Sequence, residues 1–408
     1  MVVRYGATHG GVGWIARNHR RVAFACLGVL LLTVALLPTL RFLAQRQPLP
    51  PARAPPPGGQ PAVALPVRIR AAAAAAAAAR SAGLAPAAPQ PAPADLHWHV
   101  FRSPYAPPFR IALPDPASDH NTRVILSDAY EEPLGDVFRV LLSGRCRGGA
   151  ARVLDIGANL GVFAAASAAF GCTVTAVEAQ SRLVPYLQQT AAANTATWVS
   201  GAALEVLNAA VYDAPGSLTI AYYNASRAGW LSAAMDAEAI RTCGTTLGCT
   251  LETVPVVTTA QLVDRDHVLV KIDVDGPEAV IAKALLPALR SHAVESILIE
   301  VCPGSWHDMI SRREGLAVLR ALMSEFSYDL LILNQIEFSA YPRSFLDQLQ
   351  RLEGVFRPRA YVVPERLLDE LFDDSTTTIN CKNVVFTNLA SLVSRFAEAG
   401  GLLVAPPL

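Results

Sequence analysis

The sequence predicts a doubly wound α/β fold, with seven strands in a mostly parallel sheet, preceded by one transmembrane helix and a disordered Pro/Ala-rich stem. Three observations carry that expectation. From about His97 onward short apolar runs alternate with helical patterns, Val22 to Leu40 is nineteen residues without a charge, and the stretch between them is dominated by Pro and Ala. Strands alternating with helices imply parallel βαβ units whose sheet is covered on both faces.

The uncharged run comes first. At about 1.5 Å of rise per residue it nearly matches the ~30 Å apolar core of a bilayer. Arg17, Arg20 and Arg21 precede it and Arg41 and Arg46 follow, a modest positive-inside bias. The expected layout is a cytoplasmic tail over 1–21, a signal anchor over 22–40, a stem over 41–96 and a lumenal domain over 97–408. That describes a single-pass type II protein of the Golgi or endoplasmic reticulum. A cleaved signal peptide and a plastid or mitochondrial transit peptide are the alternatives, since residues 1–94 hold ten arginines and no acid. The remaining residues hold 24 basic against 34 acidic side chains, so the neutral total hides an acidic folded part that argues against a nucleic-acid partner.

The stem includes nine alanines from Ala71 to Ala79 and too little varied apolar surface for a core. Six cysteines lie beyond Cys26, none in a CxxC pair, which disfavours zinc. Cys243 and Cys249 are spaced to close a small disulfide loop if the domain is lumenal. Asn224-Ala225-Ser226 is a glycosylation sequon. His97 and His99 beside Trp98 read as surface or packing residues.

In the folded part the strands are expected at 151–157, 173–179, 204–212, 267–276, 294–301, 328–334 and 383–388, with helices at 161–171, 181–194 and 278–292. Short apolar runs bounded by glycine or polar residues fit buried parallel strands. In such sheets ligands bind beyond the C-terminal strand ends, where the strand order reverses. Glycines and acids gather at those ends: Asp155 and Gly157, Glu178, Asn208, Asp273 and Asp275, and Glu300.

The first strand runs into Gly157-Ala-Asn159-Leu-Gly161. A dinucleotide fingerprint needs glycine at the close-approach position that Asn159 occupies, and no phosphate-loop motif is present, so a pyrophosphate ligand is disfavoured. A ligand with an ammonium near Asp155 and ribose hydroxyls near Glu178 would satisfy both carboxylates, which only accept hydrogen bonds when ionised. S-adenosylmethionine has that form.

"VLDIGANLGVF", "VTAVEA", "LNAAVYDAPGSLTI", "LVKIDVDGPEAVIAKAL" and "ILIEV", in that order between about Val124 and Asn388, resemble the successive signatures of the FkbM-type methyltransferases, a branch of the Rossmann-like seven-stranded fold. The resemblance implies that Asp155, Gly157, Asn159 and Gly161 line the methionine side, that Glu178 takes the ribose, that Asn208 lies near the adenine, and that Asp273 also faces the cofactor. The family's fourth-strand signature usually ends Asp-x-Glu-Gly-x-Glu. Here it reads Asp273-Val-Asp275-Gly276-Pro277-Glu278, one methylene shorter at the middle acid.

Methyl transfer needs an acceptor held in line and relieved of its proton. Asp273 is the first candidate for that base, with Glu278 and Glu300 beside it. Helix capping is the competing role for Asp275 and Glu278, and an arginine pair or acceptor contact for Glu300. Hard oxygen donors at Asp273, Asp275 and Glu300 would suit Mg or Mn, but no metal is expected. The expected activity is O-methylation of a glycan or small metabolite. The rivals are a Golgi-type glycosyltransferase using Asp273-Val-Asp275 for metal and nucleotide sugar, and a non-catalytic domain of the same fold. The sequence carries no sign of oligomeric state.

Overall fold

A computed structural model describes residues 86–392 apart from 118, 129, 200, 224–230, 233–236, 244–248, 307–308, 334–349, 352–359, 373–380 and 391. The expected tail, anchor and most of the stem, Cys26 and the sequon lie outside the described residues.

Along the chain come β1 (His97–Phe101), β2 (Phe109–Leu113), α1 (His120–Ile125), α2 (Glu132–Leu142), β3 (Arg152–Ile156), α3 (Val162–Ala169), β4 (Thr173–Glu178), α4 (Val184–Asn194) and β5 (Ala203–Asn208). There follow β6 (Ala210–Tyr212), β7 (Gly216–Tyr223), β8 (Leu231–Ser232), α5 (Ala237–Cys243), β9 (Cys249–Thr258) and α6 (Thr259–Leu262). The last group is β10 (Leu269–Ile272), α7 (Glu278–Leu289), β11 (Ser296–Val301), α8 (Arg312–Ser324), β12 (Asp329–Leu333), β13 (Gln350–Arg351), β14 (Ala360–Val363), α9 (Leu368–Leu371) and β15 (Lys382–Thr387).

The main sheet corrects the expected fold class. It has nine strands in the order β13-β14-β12-β15-β11-β10-β3-β4-β5, not seven. Its pairing is mixed: β11-β10-β3-β4-β5 pair parallel, whereas β15 is antiparallel to both β11 and β12, and β14 to both β12 and β13. Nor does the expected transmembrane helix find support: among the described residues no helix is long and apolar enough to cross a membrane. The run expected as one strand over 204–212 breaks at Ala209, and β6 joins a separate four-stranded sheet, β6-β9-β7-β8, while β1 and β2 form a hairpin.

Period-two alternation builds the two core layers. Leu154, Ile156, Val270, Ile272, Ile297 and Ile299 face α7 and α8. Val153, Val174, Ala176, Leu269 and Leu298 face α2, α3 and α4 on the other side. Every side chain of α3 is buried, which explains its run of alanines in place of an amphipathic pattern. Ser311 and Glu314 form a reciprocal capping box that starts α8.

The segment 86–96 is laid along α4 and the β5 edge. Ala87 donates to the Val206 carbonyl at 2.9 Å, and Gln188 donates to the carbonyls of Ala87 and Ala88. The Tyr186 hydroxyl donates to Asp95 at 2.5 Å. These contacts cover an otherwise open sheet edge.

All six cysteines beyond Cys26 are paired: Cys146–Cys172, Cys243–Cys249 and Cys302–Cys381.

Candidate functional site

The chain runs from β3 outward to β5, then returns to β10 on the other side of β3, so the order reverses between β3 and β10. At that point the C-terminal strand ends border a cavity of about 290 Å³. Its floor comes from Gly157–Phe163 after β3, Gln180 after β4, Lys271, Asp273, Val274, Asp275 and Glu300, and its outer wall from Asn121, Val124, Tyr130 and Glu131.

The glycine turn is dictated by sterics. Gly157 has φ +78°, and a Cβ there would lie 1.7 Å from the Asp273 carbonyl oxygen. Glycine therefore lets β3 and β10 close up at their ends. Gly161, at φ +83°, caps α3, and a Cβ on it would meet Leu187 at 2.3 Å. Asn159 sits between them in the left-handed region at φ 52°, a conformation asparagine tolerates, with its buried Oδ1 unpartnered.

Lys271 organises the floor. It is paired in register with Asp155 across β10 and β3 and shares a face with Asp273 two residues on. Its Nζ lies 2.9 Å from Asp273 Oδ2 and 3.5 Å from Asp155 Oδ1, and 5.6 Å from the centre of the Phe163 ring. Burial opposes its charge, but Asp273 and Asp155 outweigh it and hold the ammonium above its ordinary range. Asp155 is itself raised, chiefly by burial, with Lys271 pulling the other way.

Glu178 is 2% exposed. One carboxylate oxygen accepts from the Asn159 N–H at 2.7 Å and the other from the Gln180 N–H at 2.8 Å, so it braces the glycine turn. Burial pushes its pKa to about 7 against those two donors. Asn208 donates to the carbonyls of Glu178 and Ala179 at 3.0 Å, tying β5 to the end of β4. Neither side chain lines the cavity; beyond Glu178 it is Gln180 that does.

The expected catalytic acids separate. Asp273 and Glu300 line the cavity with Asp275, and one carboxylate oxygen from each lies within 4.8 Å of the others. Such a trio could take a hard cation, although Lys271 already answers Asp273. Glu278 is fully buried, accepts the Gly276 N–H at 2.6 Å, and is pushed to about 8 by burial. It holds the turn at the start of α7 and does not reach the cavity. Burial, then Asp273 and Asp275, raise Glu300 to about 10.

Sequence reasoning missed Lys271, Tyr130, Glu131 and Gln180. A lone charge inside the apolar run "VLVKI" was a usable signal for Lys271. The others sit on turns whose sequences carry no pattern.

No protein-family model and no curated protein matches the chain. Several solved structures are similar, two of them as follows. A Streptococcus mutans protein assigned as a SAM-dependent methyltransferase has a TM-score of 0.32 at 12% identity, over 73% of this chain and 57% of that one. An assigned transferase of Pyrococcus horikoshii has a TM-score of 0.29 at 12% identity, over 72% and 73% of the two chains. This chain thus spans little more than half of the first.

Proposed function

We propose that the protein is an S-adenosylmethionine-dependent methyltransferase of the FkbM type, acting on a hydroxyl of a glycan or small metabolite. The observation that carries this reading is the charge of the cavity. Asp273 and Asp275 line it, and Lys271, the one cation among its described lining residues, is committed to the carboxylates of Asp273 and Asp155. An anionic ligand would be repelled there, whereas the sulfonium and ammonium of S-adenosylmethionine would be drawn in. The left-handed turn through Gly157, Asn159 and Gly161 offers main chain for close approach beside it. Within this reading Asp155 acts through Lys271, Glu178 acts by bracing the turn, and the adenosine end runs past Gln180.

The second reading, a metal-dependent sugar transferase, draws on the proximity of Asp273, Asp275 and Glu300. Its nucleotide pyrophosphate would need that metal to enter so acidic a cavity. Calorimetry with S-adenosylhomocysteine, beside UDP with Mn, separates the two. Micromolar binding of the first, lost in Gly157→Arg, is expected; binding of UDP with Mn alone would reverse the assignment. Pairing of all six folded-part cysteines supports maturation in an oxidising compartment, the secretory lumen.

A further inference from the structure

Building on the methyl-transfer reading, we propose that Glu131, held over the cavity by the turn before α2, is the catalytic base that takes the proton from the acceptor hydroxyl. The argument begins with the backbone. Glu131 stands at the N-cap of α2 at φ 44°, ψ 52°, a left-handed conformation that a non-glycine residue adopts at some cost. An N-cap residue ordinarily uses its side chain to close the first turn. Glu131 makes no such bond; its carbonyl accepts from Leu134 at 2.9 Å and Gly135 at 3.1 Å, and its side chain lines the cavity.

The groups facing it define the task. Tyr130, its neighbour on the same turn, lines the cavity with it and stays a neutral phenol, its hydroxyl held well above the ordinary tyrosine range by burial first and then by the Glu131 charge. Lys271, Asp273 and Asp275 at and beyond the end of β10 and Glu300 on β11 line the same cavity, with Asp155 on β3 buried beside Lys271. The three acids expected from the sequence fail on contact or protonation. Asp273 already meets Lys271 at 2.9 Å, Glu278 is sealed from the cavity, and Glu300, raised to about 10, keeps its proton at neutral pH. Burial, offset in part by Lys271 and Tyr130, places Glu131 at about 7, where a carboxylate both ionises and accepts a proton effectively.

The step balances. The acceptor oxygen attacks the methyl carbon, the carbon–sulfur bond breaks with its electron pair left on sulfur, and the hydroxyl proton passes to Glu131. The products are the methyl ether, S-adenosylhomocysteine and a neutral carboxyl that releases its proton to water.

The test uses the full chain with methyl-labelled S-adenosylmethionine and a set of para-nitrophenyl glycosides as hydroxyl probes. Glu131→Gln should lower kcat by roughly a hundredfold or more, remove the acidic limb of the kcat profile near pH 7, and leave S-adenosylhomocysteine affinity within twofold. Glu131→Asp should recover part of the rate. A Glu131→Gln rate within threefold of the parent, with affinity retained, overturns the proposal and leaves methyl transfer standing. Failure of the parent to bind S-adenosylhomocysteine overturns both. If the parent binds it but methylates no probe, the infrared carboxylate band lost in Glu131→Gln decides: titration near pH 7 supports the proposal, and ionisation at ordinary carboxylate pH overturns it.

Discussion

The two halves of the main sheet are built alike in their cores and differently at their ends. In the parallel half, β11-β10-β3-β4 direct every C-terminal end to one edge, and each ends in a glycine, an acid or an amide beside the cavity. In the antiparallel half, β15, β12 and β14 alternate in direction, and no residue of theirs lines it. That half is tied to its neighbour by Cys302–Cys381, which joins the end of β11 to the start of β15. Parallel pairing gathers the carboxylates that line the cavity at one edge; antiparallel pairing supplies a flank outside it.

Breaking the charge centre should have the largest effect. Lys271→Met leaves Asp155, 1% exposed, without its cation. Removing one member of a buried pair costs about 3–5 kcal/mol. Chemical denaturation should show that loss, and the double change with Asp155→Asn should recover most of it. Recovery of none would mean that Lys271 matters for packing alone.

On the flank, Cys302→Ser with Cys381→Ser opens a bond of sequence separation 79, and loop-closure entropy puts its contribution at about 4.5 kcal/mol. The stability loss should resemble that of Lys271→Met, but S-adenosylhomocysteine affinity should change by less than threefold. Equal damage to binding would erase the contrast between the halves.

Gly157→Ala tests the junction itself. Both the left-handed φ and the 1.7 Å approach to the Asp273 carbonyl oppose a methyl group, so about 3 kcal/mol and most ligand affinity should be lost. Retained affinity would show that the turn only packs.

The contrast also explains what could be read from the sequence. Strands β3, β4, β10 and β11 are buried on both faces and end at glycines or acids, so their apolar runs and boundaries coincide. The final pair, β12 and β15, carries the same apolar signal, but direction has no signature in composition, and the mixed pairing went unseen. β13 and β14 hold two and four residues, too few for a period. The second sheet was hidden because Ala209 alone separates β5 from β6, and the polar Asn208 before it was read within a single strand over 204–212. In the site, acids at strand ends were legible by position. Their roles were not, because Glu178 and Glu278 are consumed by main-chain donors that appear only once the turns close.

Glu178 gives the smallest and most diagnostic test, because it lies in the parallel half yet serves structure. Its folded pKa of about 7 exceeds the ordinary value of 4.5, so the folded protein keeps a proton that the unfolded chain has released. Stability must then fall as pH rises from about 4.5 to about 7, by at most about 3 kcal/mol from this group. Glu131 at about 7 and Glu278 at about 8 add to the same slope. Glu178→Gln should flatten the fall of Tm between pH 5 and pH 8 without abolishing it, while opposing an amide N–H to one main-chain donor. The variant should therefore be less stable than the parent at pH 5 and closer to it at pH 8. A parallel downward shift at every pH would instead mean that Glu178 stays ionised, held so by the Asn159 and Gln180 N–H groups.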